Sequence, residues 1–221
     1  MKKIYTIILS FFLLLVVSQN EQLAQNYFDK GEFDKAASLY EEMEKKQPNN
    51  FYFTQKLVAC FQGLKQFDKA EKVLLSKKET NNQPIIFVEL GYNAQLEKDQ
   101  NKADLYYKKA LDVVAKQPNY AYQIGQAYEQ KSLLLQAYST YEIAQKTNSS
   151  MNFDYQMALL QGQMGDLDVM VVKLLDYSYA NINSTLSVQN QLVFFMQDDA
   201  ENVFANSLKK ELLLRTQKTQ D

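Results

Sequence analysis

Small residues recur along the chain at Ala36, Ala70, Ala103 and Ala137, with Met170 fifth in the series, at spacings of 34, 33, 34 and 33. Apolar positions keep the same beat. Twelve residues before each anchor stand Ala24, Val58, Gly91, Gly125 and Ala158, and four after it stand Tyr40, Leu74, Tyr107, Tyr141 and Leu174. Nine before it come Tyr27, Phe61, Ala94, Tyr128 and Gln161. Apolar residues three and four apart mark one face of a helix, so each unit predicts two helices that approach closely at the small residues. Polar or Gly-containing turns such as Asp29-Lys30-Gly31-Glu32, Gly63-Leu64-Lys65-Gln66 and Met164-Gly165-Asp166 separate the two helices of a unit. Breakers such as Gln47-Pro48-Asn49-Asn50 and Gln117-Pro118-Asn119 close the second helix. A period of this length predicts stacked two-helix units in place of a single globular core.

With its paired Leu-Gly/Ala, aromatic, hairpin Gly, two Ala and closing Pro, the pattern resembles the tetratricopeptide repeat (TPR) family. The first copy carries Leu23-Ala24, Tyr27, Gly31, Phe33, Ala36, Tyr40 and Pro48. Ala70 marks the second, Gly91, Ala103 and Ala110 the third, and Gly125, Ala137 and Ala144 the fourth. The fifth has Met170 and Tyr177 where small residues are expected, which implies looser packing of that pair. The resemblance implies an all-α fold, a right-handed α-solenoid superhelix of about five hairpins plus a C-terminal helical pair. Repeats are expected at about 19–50, 51–83, 84–117, 118–150 and 151–184. Residues 185–221 then form a degenerate sixth hairpin or capping and docking helices.

Residues 1–18 read differently. Lys2 and Lys3 precede a mostly apolar run from Ile4 to Val17, and Val16-Val17-Ser18 offers a small-residue cleavage site before Gln19. Fourteen residues fall short of the roughly 20 that span a bilayer. The basic start and polar exit read as a secretory signal peptide, with export to the periplasm. Because the site is not a strong A-x-A, an uncleaved N-terminal anchor is the alternative. No membrane span is expected in the mature chain.

Without Lys2 and Lys3 the chain keeps 22 basic against 26 acidic residues, a formal charge near −4 with no basic footprint for nucleic acid. Lys outnumbers Arg 23 to 1, and Asn and Gln are abundant, a bias similar to that of AT-rich Bacteroidota genomes. The single Cys60 forms no internal disulfide and reads as a core residue. There is no His, which removes the commonest general base and metal ligand. The glycines build neither a phosphate loop nor a dinucleotide fingerprint. Carboxylate pairs such as Glu41-Glu42, Asp198-Asp199 and Glu97/Asp99 read as solvated helix faces or turns. These readings predict a non-enzymatic chain with no cofactor and no metal.

In the TPR family the first helix of each hairpin lines a concave groove. Placed on that pattern, Phe28, Tyr52, Gln55, Tyr92, Gln95, Tyr122, Gln126 and Tyr155 face the groove, a set rich in Tyr and Gln and nearly free of charge. Matching positions lack the Lys and Arg with which chaperone-tail-binding members grip a carboxylate. The resemblance therefore implies another protein, or an extended uncharged peptide, held by Tyr92, Tyr122 and Tyr155; the alternative is that these tyrosines pack between hairpins. Helices are expected over Leu186–Met196 and Ala200–Gln217. Leu212-Leu213-Leu214 is too apolar for a capping surface, which leaves self-association through the C-terminal helices open. The functional expectation is a protein-protein interaction scaffold of the bacterial cell envelope. The alternative is the sensory or docking N-terminal region of a longer protein with further repeats or a signalling module, as in the longer Bacteroidota envelope proteins the chain resembles.

Overall fold

A computed structural model describes residues 19–81, 83–197 and 199–218, and among these the chain is mainly helical with no strand. The signal-peptide assignment lies outside the described residues. Helix α1 covers 19–29. It is followed by α2 (Phe33–Lys46), α3 (Phe51–Gly63), α4 (Phe67–Asn81), α5 (Ile86–Leu96) and α6 (Gln100–Lys116). Then come α7 (Ala121–Glu129), α8 (Leu134–Thr147), α9 (Asp154–Gln163), α10 (Leu167–Ala180), α11 (Thr185–Gln197) and α12 (Val203–Lys218). Short 3₁₀ turns at Pro118–Tyr120 and Ile182–Ser184 lead into α7 and α11. The first ten helices form five consecutive hairpins, an all-α solenoid arrangement. The chain divides into two compact units, 1–110 and 111–221, with the boundary inside α6.

All five hairpins turn by the same backbone device. Gly31, Lys65, Lys98, Ser132 and Gly165 adopt positive φ of 74°, 58°, 69°, 56° and 98°, at the spacing of the sequence repeat. The N–H that follows each of them donates to a carbonyl five residues back: Glu32 to Tyr27 (2.9 Å), Gln66 to Phe61 (2.8 Å), Asp99 to Ala94 (2.9 Å), Leu133 to Tyr128 (3.0 Å) and Asp166 to Gln161 (2.9 Å). The positive-φ residue donates three back, closing the carbonyls a helix end leaves orphaned. A non-glycine residue spends about 1–2 kcal/mol to sit there. Lys65, Lys98 and Ser132 hold the conformation because the helices on either side require it. Gly63, expected in a turn, is the last residue of α3; a Cβ on it would fall 2.6 Å from ring carbons of Phe33. Its role is close approach.

Hairpin packing rests on volume matching at one seam. A Cβ on Gly91 would lie 2.3 Å from the Tyr107 ring, and one on Gly125 2.4 Å from Tyr141. The equivalent pairs are Ala24 with Tyr40, Val58 with Leu74, and Ala158 with Leu174, each pair buried within one cluster. Glycine on the first helix faces tyrosine on the second and valine faces leucine, while alanine is found opposite either. Ala24, Ala36, Ala70, Ala103, Ala110, Ala137 and Ala144 are all without solvent exposure. The fifth hairpin is not loose, contrary to the expectation raised by Met170. That side chain is fully buried, and Gly162 supplies the space: a Cβ there would stand 2.1 Å from the Met170 sulfur. Large and small have exchanged helices.

In the first unit, Ala24, Ala36, Tyr40, Phe53, Leu57 and Cys60 form one core cluster and Val58, Ala70, Leu74, Ile86 and Leu90 another. Second helices are tied to one another across repeats. Lys77 pairs with Glu44 and donates to the Pro48 carbonyl (3.0 Å), and Lys102 meets Glu71 at 2.7 Å. In the second unit, α11 and α12 both pack on α10, where Val188, Leu192 and Phe204 join Val171 and Leu174. Asp199 caps α12, accepting from the N–H groups of Phe204 (3.1 Å) and Ala205 (2.7 Å). Arg215 donates to Asp176 at 2.7 Å and Glu211 at 2.8 Å, holding α12 against α10.

Volume matching yields a test. Gly91→Ala should lose about 2 kcal/mol of stability, because overpacking against the Tyr107 ring outweighs the helix-propensity gain. Adding Tyr107→Leu, which recreates the Ala158/Leu174 pair, should recover much of that loss in urea unfolding. Equal losses in the single and double variants would contradict the matched-pair account.

Candidate functional site

The first helix of each hairpin has one side on the seam and another turned away from it, and the seam dictates part of what the second side carries. A buried tyrosine needs a partner for its hydroxyl. Tyr107 donates to Gln95 Oε1 at 2.8 Å, and Tyr141 to Glu129 Oε1 at 2.7 Å, each twelve residues back. At the equivalent place in the first hairpin stands Phe28, which accepts nothing, and Tyr40 turns instead to Gln25 Oε1 at 3.1 Å. The second and fifth hairpins have Leu74 and Leu174 in place of tyrosine. There the acceptor position holds Gln62, whose amide donates across to Asn93 Oδ1 (3.3 Å), and Gly162. In the third and fourth hairpins the polar residue at this position thus serves a tyrosine of the seam. Burial raises the Tyr40, Tyr107 and Tyr141 phenols above their ordinary value, with Glu129 adding to the rise at Tyr141. Desolvation also pushes the Cys60 thiol up to about 12, so it is an unreactive core group.

The eight residues assigned to a groove divide between structure and surface. Gln95 is the acceptor for Tyr107. Gln55 donates to Glu89 Oε1 at 3.0 Å, joining successive first helices across 34 residues. Tyr155 packs against Tyr177, with ring centroids 5.6 Å apart, at the edge of the α9–α10 core. Tyr92 is half-buried, close enough to Tyr107 to add to the rise of its phenol. What faces outward in the first unit is Tyr52, 39% exposed, beside the half-buried Phe28. In the second unit it is Tyr122, 51% exposed, whose hydroxyl accepts from the Gln126 amide at 2.9 Å.

Charge on this side exceeds the nearly uncharged surface expected from sequence. Lys56 lies over both aromatic faces, 5.1 Å from the Phe28 centroid and 5.5 Å from Tyr52. Glu21, Gln22, Gln25, Asn26, Asp29 and Tyr52 line an open cleft of about 450 Å³. Glu89, almost fully buried, takes part through Gln55. Sequence reasoning passed over Lys56, although its place one helical turn after Tyr52 was signal enough to find it. Among the described residues no group of three or more Cys, Asp or Glu is placed to hold a metal ion.

No family model matches the chain. It is 27% identical over 160 residues to the BBSome complex member BBS4 of Bos taurus, a match covering 69% of this chain and 30% of the relative's length. The chain therefore spans less than a third of that protein. Among solved structures it is similar to TTC0263, a thermophilic TPR protein of Thermus thermophilus, at 17% identity, over 80% of this chain and 99% of that one, with a TM-score of 0.42. It is also similar to the TPR2AB domain of yeast Sti1, in a structure described as its complex with pHSP90, at 15% identity, over 93% and 99% of the two chains, with a TM-score of 0.39.

The raised phenols set a pH dependence. A group whose folded pKa lies above its unfolded value stabilises the fold below the unfolded value and loses that contribution as pH climbs. Stability should accordingly fall above about pH 10, where tyrosines of the unfolded chain ionise. Tyrosinate absorbance should reach its full value only as helicity is lost, and Tyr141→Phe should flatten part of the slope. Complete tyrosine ionisation with helicity intact would contradict the burial of these hydroxyls.

Proposed function

We propose that this chain is a non-enzymatic protein-protein interaction scaffold that holds an extended segment of a partner on its first-helix face, in the envelope of a bacterium. The observation that carries the reading is the division on that face. Gln95, Glu129 and Gln25 are committed to buried hydroxyls, whereas Tyr52 with Phe28 and Lys56, and separately Tyr122 with Gln126, present aromatic surface and polar groups outward. Flat aromatic rings with a polar tip suit contact with an extended backbone, and aromatic anchors dominate binding at protein interfaces. Lys56 adds a cation beside two rings, and Glu21 and Asp29 line the adjoining cleft, so this part of the face offers groups of both signs. Similarity to a member of a protein complex supports the scaffold reading, and residues 1–18 support export.

The anchors differ from the three tyrosines favoured by sequence, since Tyr155 is part of the packing. In a pull-down from envelope extract, Tyr52→Ala/Tyr122→Ala should lose the partner while keeping the helical signal and melting temperature. Tyr155→Ala should instead lower stability. Unchanged capture by the double variant would exclude this face. For export, N-terminal sequencing of the protein recovered from the periplasm should begin at Gln19; an unprocessed Met1 in the cytoplasmic fraction would overturn the assignment.

A further inference from the structure

The second unit ends in a helix with an unusual surface. From Tyr177 to Gln197 there is no charged side chain, in a chain that is 23% Asp, Glu, Lys and Arg. Helix α11 lies inside this stretch and buries Val188 and Leu192 against the core, with Phe195 partly buried beside them. Its opposite face carries Leu186 (69% exposed), Val193 (53%) and Phe194 (57%), with Asn190 and Gln197 between and after them, also exposed. Leu186, Asn190 and Phe194 are spaced by four and form one ridge along the helix.

We infer that this face pairs with α11 of a second copy of the chain, as an antiparallel, two-fold symmetric contact centred on Asn190. Two observations select that occupant. A charged partner surface would be stripped of water here with nothing to pair it, so the complement must itself be free of charge, and a second copy presents such a surface at the same length. The ridge is also self-complementary: Leu186 and Phe194 stand equally far from Asn190. Antiparallel apposition therefore sets each Leu186 against the Phe194 of the other copy and brings the two Asn190 amides together, each donating and accepting once. An isologous contact requires this kind of symmetry. With Ile182 alongside, the exposed apolar area is on the order of 500 Å² per copy, and the flanking amides bring the contact toward the roughly 800 Å² per partner of a standard interface. The reading relocates self-association from Leu212–Leu214, on α12, to α11, and it is independent of the first-helix face.

Sedimentation velocity of the purified protein across a wide concentration range should show a reversible dimer. Val193→Lys/Phe194→Lys should be monomeric with unchanged helicity, while Leu212→Gln/Leu213→Gln should still dimerise. Should the lysine variant fail to fold, Asn190→Cys decides, because Cys60 is buried and does not compete: oxidation should link two copies through position 190. A protein monomeric at every concentration, a dimer that survives the lysine pair, or an Asn190→Cys variant that stays unlinked would each overturn the proposal.

Discussion

The structure depends on how close two helices of a hairpin can come. Where Gly91 and Gly125 leave room, a tyrosine ring fills it; where Val58 stands, leucine suffices; and where Met170 occupies the anchor position, Gly162 opposite has shrunk. Interiors are packed like organic crystals, so the residue at one side of the crossing limits what fits at the other. This explains why a period in residue type survives substitution at individual places. It also explains why the left-handed turns at Lys65, Lys98 and Ser132 persist without glycine: the geometry of the crossing fixes where the chain must reverse.

A large ring at the seam has a polar consequence. The hydroxyls of Tyr107 and Tyr141 take Gln95 and Glu129 of the first helix as acceptors. Part of the surface that a binding groove would use is thereby committed to the core. Gln55 and Gln62 are occupied in a second way, bonding to Glu89 and Asn93 on the next first helix. Aromatic surface that stays exposed on this side after these commitments are met includes Tyr52, with Lys56 over its ring, and Tyr122.

The C-terminal helices obey a different logic. Neither α11 nor α12 carries the small-residue anchor, and both are held to α10, α12 by Arg215 and by Phe204 beneath it. Their outward faces keep apolar residues that no further hairpin covers within the described residues. Charge, abundant elsewhere, is missing from the whole of α11.

By itself the sequence determined the helical hairpins, their number and the positions of closest approach, because a helical period of apolar residues and a 33 to 34 residue recurrence of small ones are local and cumulative signals. It also pointed to Phe28, Tyr52, Gln55, Tyr92, Gln95, Tyr122, Gln126 and Tyr155 as one side of the first helices. Which of these are available was decided only by the tertiary structure. Gln95 as the acceptor of a buried phenol, Gln55 as a bridge between repeats, Tyr155 as packing, Lys56 as a cation over two rings and Gly162 as the compensation for Met170 are all pairings between separate helices. The physical reason is that a side chain's hydrogen-bond partner and its free volume belong to its neighbour across the fold, and no periodicity along one helix contains that neighbour.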